Sequence, residues 1–213
     1  EPVEIEASGE AVMCPVFVPH PDARFMVISD IDDTMIETGA YSLLRNLYTS
    51  FTGNATTRHV YPDAVGLMAD LSCGGLNPVY YVSSSPWNLH AFLADVFRNS
   101  GLTRGPMFLR DLGLSKTKFI TDGHGNHKGA SIDLIMKANP DLPAILLGDT
   151  GQHDARIYRE VIARHGDRII AVGLRIPGAG LDPTDRAEFA AIANTGVHHY
   201  AERDFSRFSG ELR

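Results

Sequence analysis

A chain of 213 residues is about one and a half times the usual domain length, enough to bury about 70% of its unfolded surface around one core without disulfides. With 44% hydrophobic and 21% charged residues, the composition excludes a disordered chain, a coiled coil and a collagen-like fibre. The 19 Lys and Arg against 26 Asp and Glu give a formal charge of -7, so no chain-wide attraction to nucleic acid is available and none is expected as a partner.

In chain order, Ala11 to Pro19 is β-rich and closed by Pro19 and Pro21, which predicts a leading strand, or the remnant of an upstream β element, within a segment 1–22. Over residues 23–213, short apolar runs alternate with helical periodicity, the rhythm of βαβ units on a parallel sheet. Phe25 to Ser29 and Pro78 to Val82 read as strands, the second stopping at Ser83, Ser84 and Ser85. Between them the pattern predicts a helix at Tyr41 to Thr49, a connector at Thr52 to Tyr61, and a helix opening on Pro62 and Asp63, where Pro costs no hydrogen bond. Leu89, Phe92, Leu93, Val96 and Phe97 give Pro86 to Asn99 one apolar helical face. Met107 to Leu109 is a short strand, His127 to Lys137 a helix, and Ala144 to Leu147 a strand ending at Gly148 and Asp149. A helix at Asp154 to Arg164, a strand at Ile169 to Leu174, and a helix capped by Asp182 with Pro183 in first position continue the rhythm. A strand at His198 to Tyr200 and a short helix close the chain. The fold expected is α/β, a three-layer Rossmann-like parallel sheet with helices on both faces. The apolar runs are far below the roughly 20 residues that cross a bilayer. Cys14 and Cys73 are too few for a disulfide framework and read as buried thiols. The chain opens on Glu1 without a visible signal peptide, which leaves room for a trimmed or processed form.

Asp30-Ile31-Asp32-Asp33-Thr34 follows the first of these strands directly. Side chains alternate along an extended segment, so Asp30 and Asp32 face one way and Ile31 the other. Two carboxylates that close repel each other unless a cation or a shared proton intervenes. The carboxyl ends of the strands are also where open α/β sheets bind ligands. The stretch Gly148 to Asp154 is a similar object on a later strand, where Asp149 and Asp154 could reach one hard cation, magnesium rather than zinc. Taken singly, each is open to a plainer reading as an Asp-rich or Gly-rich turn. Together, at two strand ends of one sheet, they are explained by a cation site. Ser83 and Lys128 add a hydroxyl and an ammonium, the donors a phosphoryl group needs as charge shifts in its transition state. Lys128 alone reads equally as a solvated helix residue.

The set Asp30 to Thr34, Ser83, Lys128 and Gly148-Asp149 with Asp154 resembles the four motifs of the haloacid dehalogenase superfamily. The strings Ser83-Ser84-Ser85-Pro86-Trp87-Asn88-Leu89, Leu109-Arg110-Asp111, His127-Lys128 and Gly148 to Asp154 resemble, more closely, the catalytic domain of the App1-type phosphatidate phosphatases, relatives of the lipins, over about Pro19 to Ile176. That resemblance implies Asp30 as the nucleophile that forms an aspartyl-phosphate, and Asp32 as the acid and base whose backbone carbonyl helps hold the metal. It implies Asp149 as a direct magnesium ligand and Asp154 as a ligand or an orienter of metal-bound water. Ser83, Ser84 and Lys128 would hold phosphate oxygens, with Thr34 supporting the loop. It further implies a short flap at Asn54 to Tyr61, carrying Arg58 and His59, in place of a large cap domain. App1-like members commonly show an Arg-Asp pair where this chain has Arg175-Ile176-Pro177, so no role is carried over there.

Other residues have plainer readings. His124 and His127 lack the further soft ligands of a zinc site. His153 and Arg110 are candidate substrate or loop contacts, and Trp87 is expected to pack into the core. The function expected is a magnesium-dependent phosphomonoester hydrolase acting on phosphatidate or a similar lipid phosphate, cytoplasmic with peripheral membrane contact. The alternatives are a phosphatase of a small soluble phosphomonoester, a receiver-like phosphoacceptor and a silent binding module.

Overall fold

The structure, a computed structural model, describes residues 2–7, 10–37, 60–111, 124–151, 153–176, 178, 180–181 and 183–211. Strands β1 (Pro2–Ala7) and β2 (Glu10–Pro15) pair antiparallel in a separate ribbon, with Pro2 opposite Pro15. Proline has no N–H to extend a ladder, so the ribbon closes there. The leading strand read at Ala11 to Pro19 therefore ends at Pro15, and its partner β1 is an element that the sequence reading missed.

The main sheet contains β3 (Met26–Ser29), β4 (Val79–Pro86), β5 (Met107–Arg110), β6 (Ala144–Asp149), β7 (Ile169–Arg175) and β8 (His198–Glu202). Their order is β5-β4-β3-β6-β7-β8 and every neighbouring pair is parallel. All residues of β3 and β6 are buried, as parallel strands covered on both faces must be. Alternate side chains divide between two cores. Val27, Tyr81, Ile145, Leu147 and Ala171 pack with α1 (Pro62–Ser72) and α2 (His90–Ser100). Met26, Ile28, Val82, Leu146 and Val172 pack on the other face with α3 (His124–Ala138), α4 (Asp154–His165) and α5 (Pro183–Ala193). This is the three-layer α/β arrangement expected. The chain leaves β3, builds β4 and β5 on one side, and returns to place β6 on the other. The crevice between β3 and β6, outside their carboxyl ends, is the topological switch point of the sheet.

After β8 the chain turns back. Phe205 and Phe208, the latter opening the short α6 (Phe208–Glu211), are buried in the first core. Gly173 makes room for Phe208, since a Cβ there would lie 3.0 Å from the Phe208 ring. The Arg168 guanidinium donates to the carbonyls of Met136, Asn139 and Leu142, closing the end of α3 and the turn after it.

Several boundaries moved. β4 runs through the serines to Pro86 instead of stopping at Ser83, and α2 starts at His90 after a 3-10 turn at Trp87–Leu89. Cys73 is exposed rather than buried, because it ends α1 in the left-handed conformation with φ 48°. The helix at Tyr41 to Thr49, most of the connector after it, the side chain of Cys14 and the Asp182 cap lie outside the described residues. Among the described residues no helix is long and apolar enough to cross a membrane. Phe208→Ala should lower stability by about 4 kcal/mol, measured by urea unfolding; a loss near zero would mean that α6 is not part of the core.

Candidate active site

The acids meet at the switch point. β3 ends at Ser29, and the Asp30 N–H donates to the Leu147 carbonyl at 2.8 Å, which registers Asp30 against the end of β6. From Asp30 the chain makes a tight loop in which the Met35 and Ile36 N–H groups both donate to the Ile31 carbonyl. Asp33 takes the left-handed conformation there, φ 56°, which a short polar side chain tolerates. Asp149 ends β6 and Asp154 opens α4, with the Asp149 N–H donating to Asp154 Oδ2 at 3.2 Å.

Asp30, Asp149 and Asp154 are all buried, and one carboxylate oxygen from each lies within 4.8 Å of the other two. Lys128, in the first turns of α3 and 3% exposed, places Nζ 2.7 Å from Asp30 Oδ1 and 2.6 Å from Asp154 Oδ1. Thr34 Oγ1 donates to Asp30 Oδ2 at 3.1 Å, so both oxygens of that carboxylate are anchored.

Three carboxylates facing one ammonium leave a net charge of two negatives in a dry crevice. Burial, reinforced by Asp154 and Asp32 and opposed by Lys128, raises Asp30 to about 8. Burial, with Asp154 and Asp30 adding to it, raises Asp149 to about 9. Burial favours the neutral amine of Lys128, but Asp154 and Asp30 outweigh it and hold Lys128 above the ordinary lysine range. The cluster must therefore hold extra protons or a cation. A divalent cation cancels the excess, and all-oxygen donors of this kind suit a hard ion, so the residues present fit such a group.

Asp32 differs from its neighbour. Its Oδ2 accepts the hydroxyls of Ser83 at 2.7 Å and Ser85 at 2.9 Å, while the Ser85 N–H donates to Ser83 Oγ. Its carboxylate thus belongs to a serine pocket and not to the three-acid cluster that the sequence reading had it share. Burial raises Asp32, and the two serine hydroxyls offset part of that rise.

The remaining expected residues scatter. Ser84 is half-buried, between two serines turned to Asp32. His153 is exposed in a left-handed conformation just before α4, and Arg110 is half-buried at the end of β5. Trp87, expected in the core, is 58% exposed and lies at a tilt against the His90 ring. Arg58, His59 and the side chain of His124 lie outside the described residues.

Gly148, read in the sequence only as part of the Gly148-Asp149 motif, has a steric role that the sequence reasoning missed. A Cβ there would lie 2.6 Å from Asp154 Oδ2 and 2.8 Å from the Tyr158 hydroxyl, which donates to the Leu147 carbonyl. Its signal was the glycine directly before an acid at a strand end. The cavity of about 330 Å³ lined by Val16, Phe17, Asn77, Tyr80 and Arg104 lies at the opposite end of β4 and shares no lining residue with the acids.

The profile of the family described as "Phosphatidate phosphatase APP1, catalytic domain" matches residues 25–176, from the start of β3 to just past β7. The chain belongs to this App1 catalytic-domain family. An uncharacterised protein of Schizosaccharomyces pombe is 28% identical over 159 residues, covering 70% of this chain and 24% of its own length. Phosphatidate phosphatase APP1 of Saccharomyces cerevisiae is 28% identical over 156 residues, covering 70% of this chain and 25% of its own. The chain thus spans about a quarter of the length of these curated relatives. A crystal structure from Thermotoga maritima, provisionally assigned as a β-phosphoglucomutase, superposes with a TM-score of 0.50 at 10% identity, covering 88% of this chain and 98% of its own. At that identity the likeness concerns the fold alone. The App1 match embraces all four acids, Lys128 and the serine pocket.

Gly148→Ala should displace Asp154 and Tyr158 and lower thermal stability by about 1–3 kcal/mol; an unchanged melting curve would show that the contact is slack. A second expectation concerns pH. Asp30 and Asp149 are raised from 3.8 to about 8 and about 9, so between those values the folded chain binds more protons than the unfolded one. The stability they contribute is complete at low pH and is lost as pH rises toward 9. With chelator present, unfolding free energy should fall across this window, and the slope should be shallower in Asp149→Asn; identical slopes would contradict the assignment.

Proposed function

We propose that this protein is a magnesium-dependent phosphomonoester hydrolase that acts through an aspartyl-phosphate on Asp30, with phosphatidate or a similar lipid phosphate as substrate. The observation that carries the reading is the buried Asp30 carboxylate, fixed at both oxygens by Lys128 and Thr34 and set within one cluster with Asp149 and Asp154. Fixing both oxygens orients the nucleophile before substrate arrives, and orientation is a large share of the barrier in displacement reactions. Asp30 attacks phosphorus, the bond from phosphorus to the leaving oxygen breaks, and Asp32 gives that oxygen its proton. Asp32 then takes a proton from water, which attacks the aspartyl-phosphate, releases phosphate and regenerates Asp30. Magnesium, held by Asp30, Asp149 and Asp154, supplies charge stabilisation for the phosphoryl oxygens and keeps the carboxylates ionised. Lys128 offsets charge on the same oxygens.

The serine pocket suits the role given to Asp32. Hydroxyl donors steady the carboxylate without adding charge, and burial keeps its proton affinity high enough for use as an acid. The lipid assignment is supported by membership of a family described as phosphatidate phosphatases and by likeness to the APP1 phosphatase of Saccharomyces cerevisiae. Such a substrate would bring the protein into peripheral contact with a membrane.

Phosphate release from phosphatidate in detergent micelles, set beside a panel of soluble phosphomonoesters, tests both parts. Turnover should require magnesium and should fall at least about a thousandfold in Asp30→Asn, with the fold intact by circular dichroism. Full activity in that variant overturns the mechanism. Faster turnover of a soluble ester reassigns the substrate, and a stable phosphoprotein without phosphate release would mean a phosphoacceptor instead.

A further inference from the structure

Arg175 closes β7 at the edge of the sheet that bears the acids and is 2% exposed. A buried guanidinium must find acceptors for a planar fork of donors. Here Nε donates to the Thr34 carbonyl at 3.0 Å, one terminal nitrogen to the Arg203 carbonyl at 2.9 Å, and the other to Asp63 Oδ2 at 2.7 Å. The guanidinium carbon lies 4.0 Å from the centre of the Tyr61 ring and 4.5 Å from that of Phe205, so the fork is clamped between two aromatic faces. Asp63 Oδ2 also accepts the Phe205 N–H at 2.7 Å. On the backbone side, the Arg175 carbonyl accepts the Thr150 N–H at 3.0 Å.

One residue therefore grips both acid-bearing loops. Its side chain holds the peptide of Thr34, whose hydroxyl anchors Asp30, and its carbonyl holds the peptide next to Asp149. We propose that Arg175 is a positioning residue that sets the spacing between Asp30 and Asp149, and that Arg203 and Phe205, which lie beyond the stretch matched by the family profile, are part of the same device. The Arg175-Ile176-Pro177 stretch departs from the Arg-Asp pair common in App1-like chains. The Arg175 side chain reaches the loop from β7, two strands away from β3, and no strand-end pattern forecasts that. Lysine cannot replace it, because three donors on one atom cannot reach Thr34 and Arg203 while facing Asp63. The catalytic consequence rests on the phosphatase reading, in which small displacements of the nucleophile are costly.

The test compares Arg175→Lys, Asp63→Asn and Tyr81→Phe in the full chain with magnesium, on the ester that the wild type hydrolyses best. Arg175→Lys should lower kcat about 10- to 100-fold with KM within about threefold. Asp63→Asn keeps the bonds to Thr34 and Arg203 and should lose less. Tyr81→Phe removes a buried hydroxyl bond to the Thr103 carbonyl at the other end of the sheet and should keep kcat while losing stability. Hydrogen exchange supplies a readout without turnover: the Met35 and Ile36 amides should exchange faster in Arg175→Lys while those of Ile145 to Leu147 do not change. Wild-type kcat and exchange in Arg175→Lys overturn the proposal, as does a loss of kcat that follows stability across all three variants. If the wild type hydrolyses no ester, the phosphatase reading fails, and the exchange comparison still decides whether Arg175 holds the loop.

Discussion

Three buried carboxylates cluster beside one ammonium that pairs with only two of them, and that unbalanced charge constrains everything around it. A carboxylate moved from water into a protein interior is strongly disfavoured unless it is paired or protonated. Lys128 can be divided between Asp30 and Asp154 only if strand ends and helix starts distant in sequence are held within a few ångströms. The switch point of a parallel sheet does this, because β3 and β6 are neighbours in space and both deliver an acid at the same edge. Packing on both faces then denies those acids the solvent that would relax them. The hydrophobic layers are thus the source of the electrostatic strain that a bound proton or cation would relieve.

Asp30 and Asp32 stand two positions apart on one loop yet are stabilised by different means. Asp30 is paired with the Lys128 ammonium, whereas Asp32 accepts the two hydroxyls of Ser83 and Ser85. This division answers to the proposed chemistry, in which one carboxyl forms a bond to phosphorus and the other carries a proton.

The features legible in the sequence were those written in short-range patterns. β3 and β6 showed as apolar runs stopped by Asp, and α1, α2 and α4 showed through their turns and periodicity. β4 was cut short because Ser83 and Ser85 carry no apolar signal; their strand conformation depends on a buried carboxylate contributed by another loop. The alternation of Val3, Glu4, Ile5 and Glu6 was a strand signal left unread in β1. Trp87 was misplaced by the habit of assigning indoles to cores, and its position in a 3-10 turn leaves it largely in solvent. Arg175 closes an apolar run, where an arginine reads as the polar end of a strand. Its meaning lies in contacts with residues 34, 63 and 203, which no local window contains.

The central place of β3 also governs how the molecule assembles. Its flanking strands β4 and β6 come later in the chain, and Phe208, which seals the first core, comes later still. During synthesis β3 waits with an open edge until residues 144–149 have been made, and the face that α1 and α2 cover is completed only when Phe208 is added. Contacts so far apart in sequence make for slow folding and prolonged exposure of sticky strand edges. The three acids can therefore gather into one cluster only once residue 154 has been made, and the core beneath them is sealed later still, by Phe208.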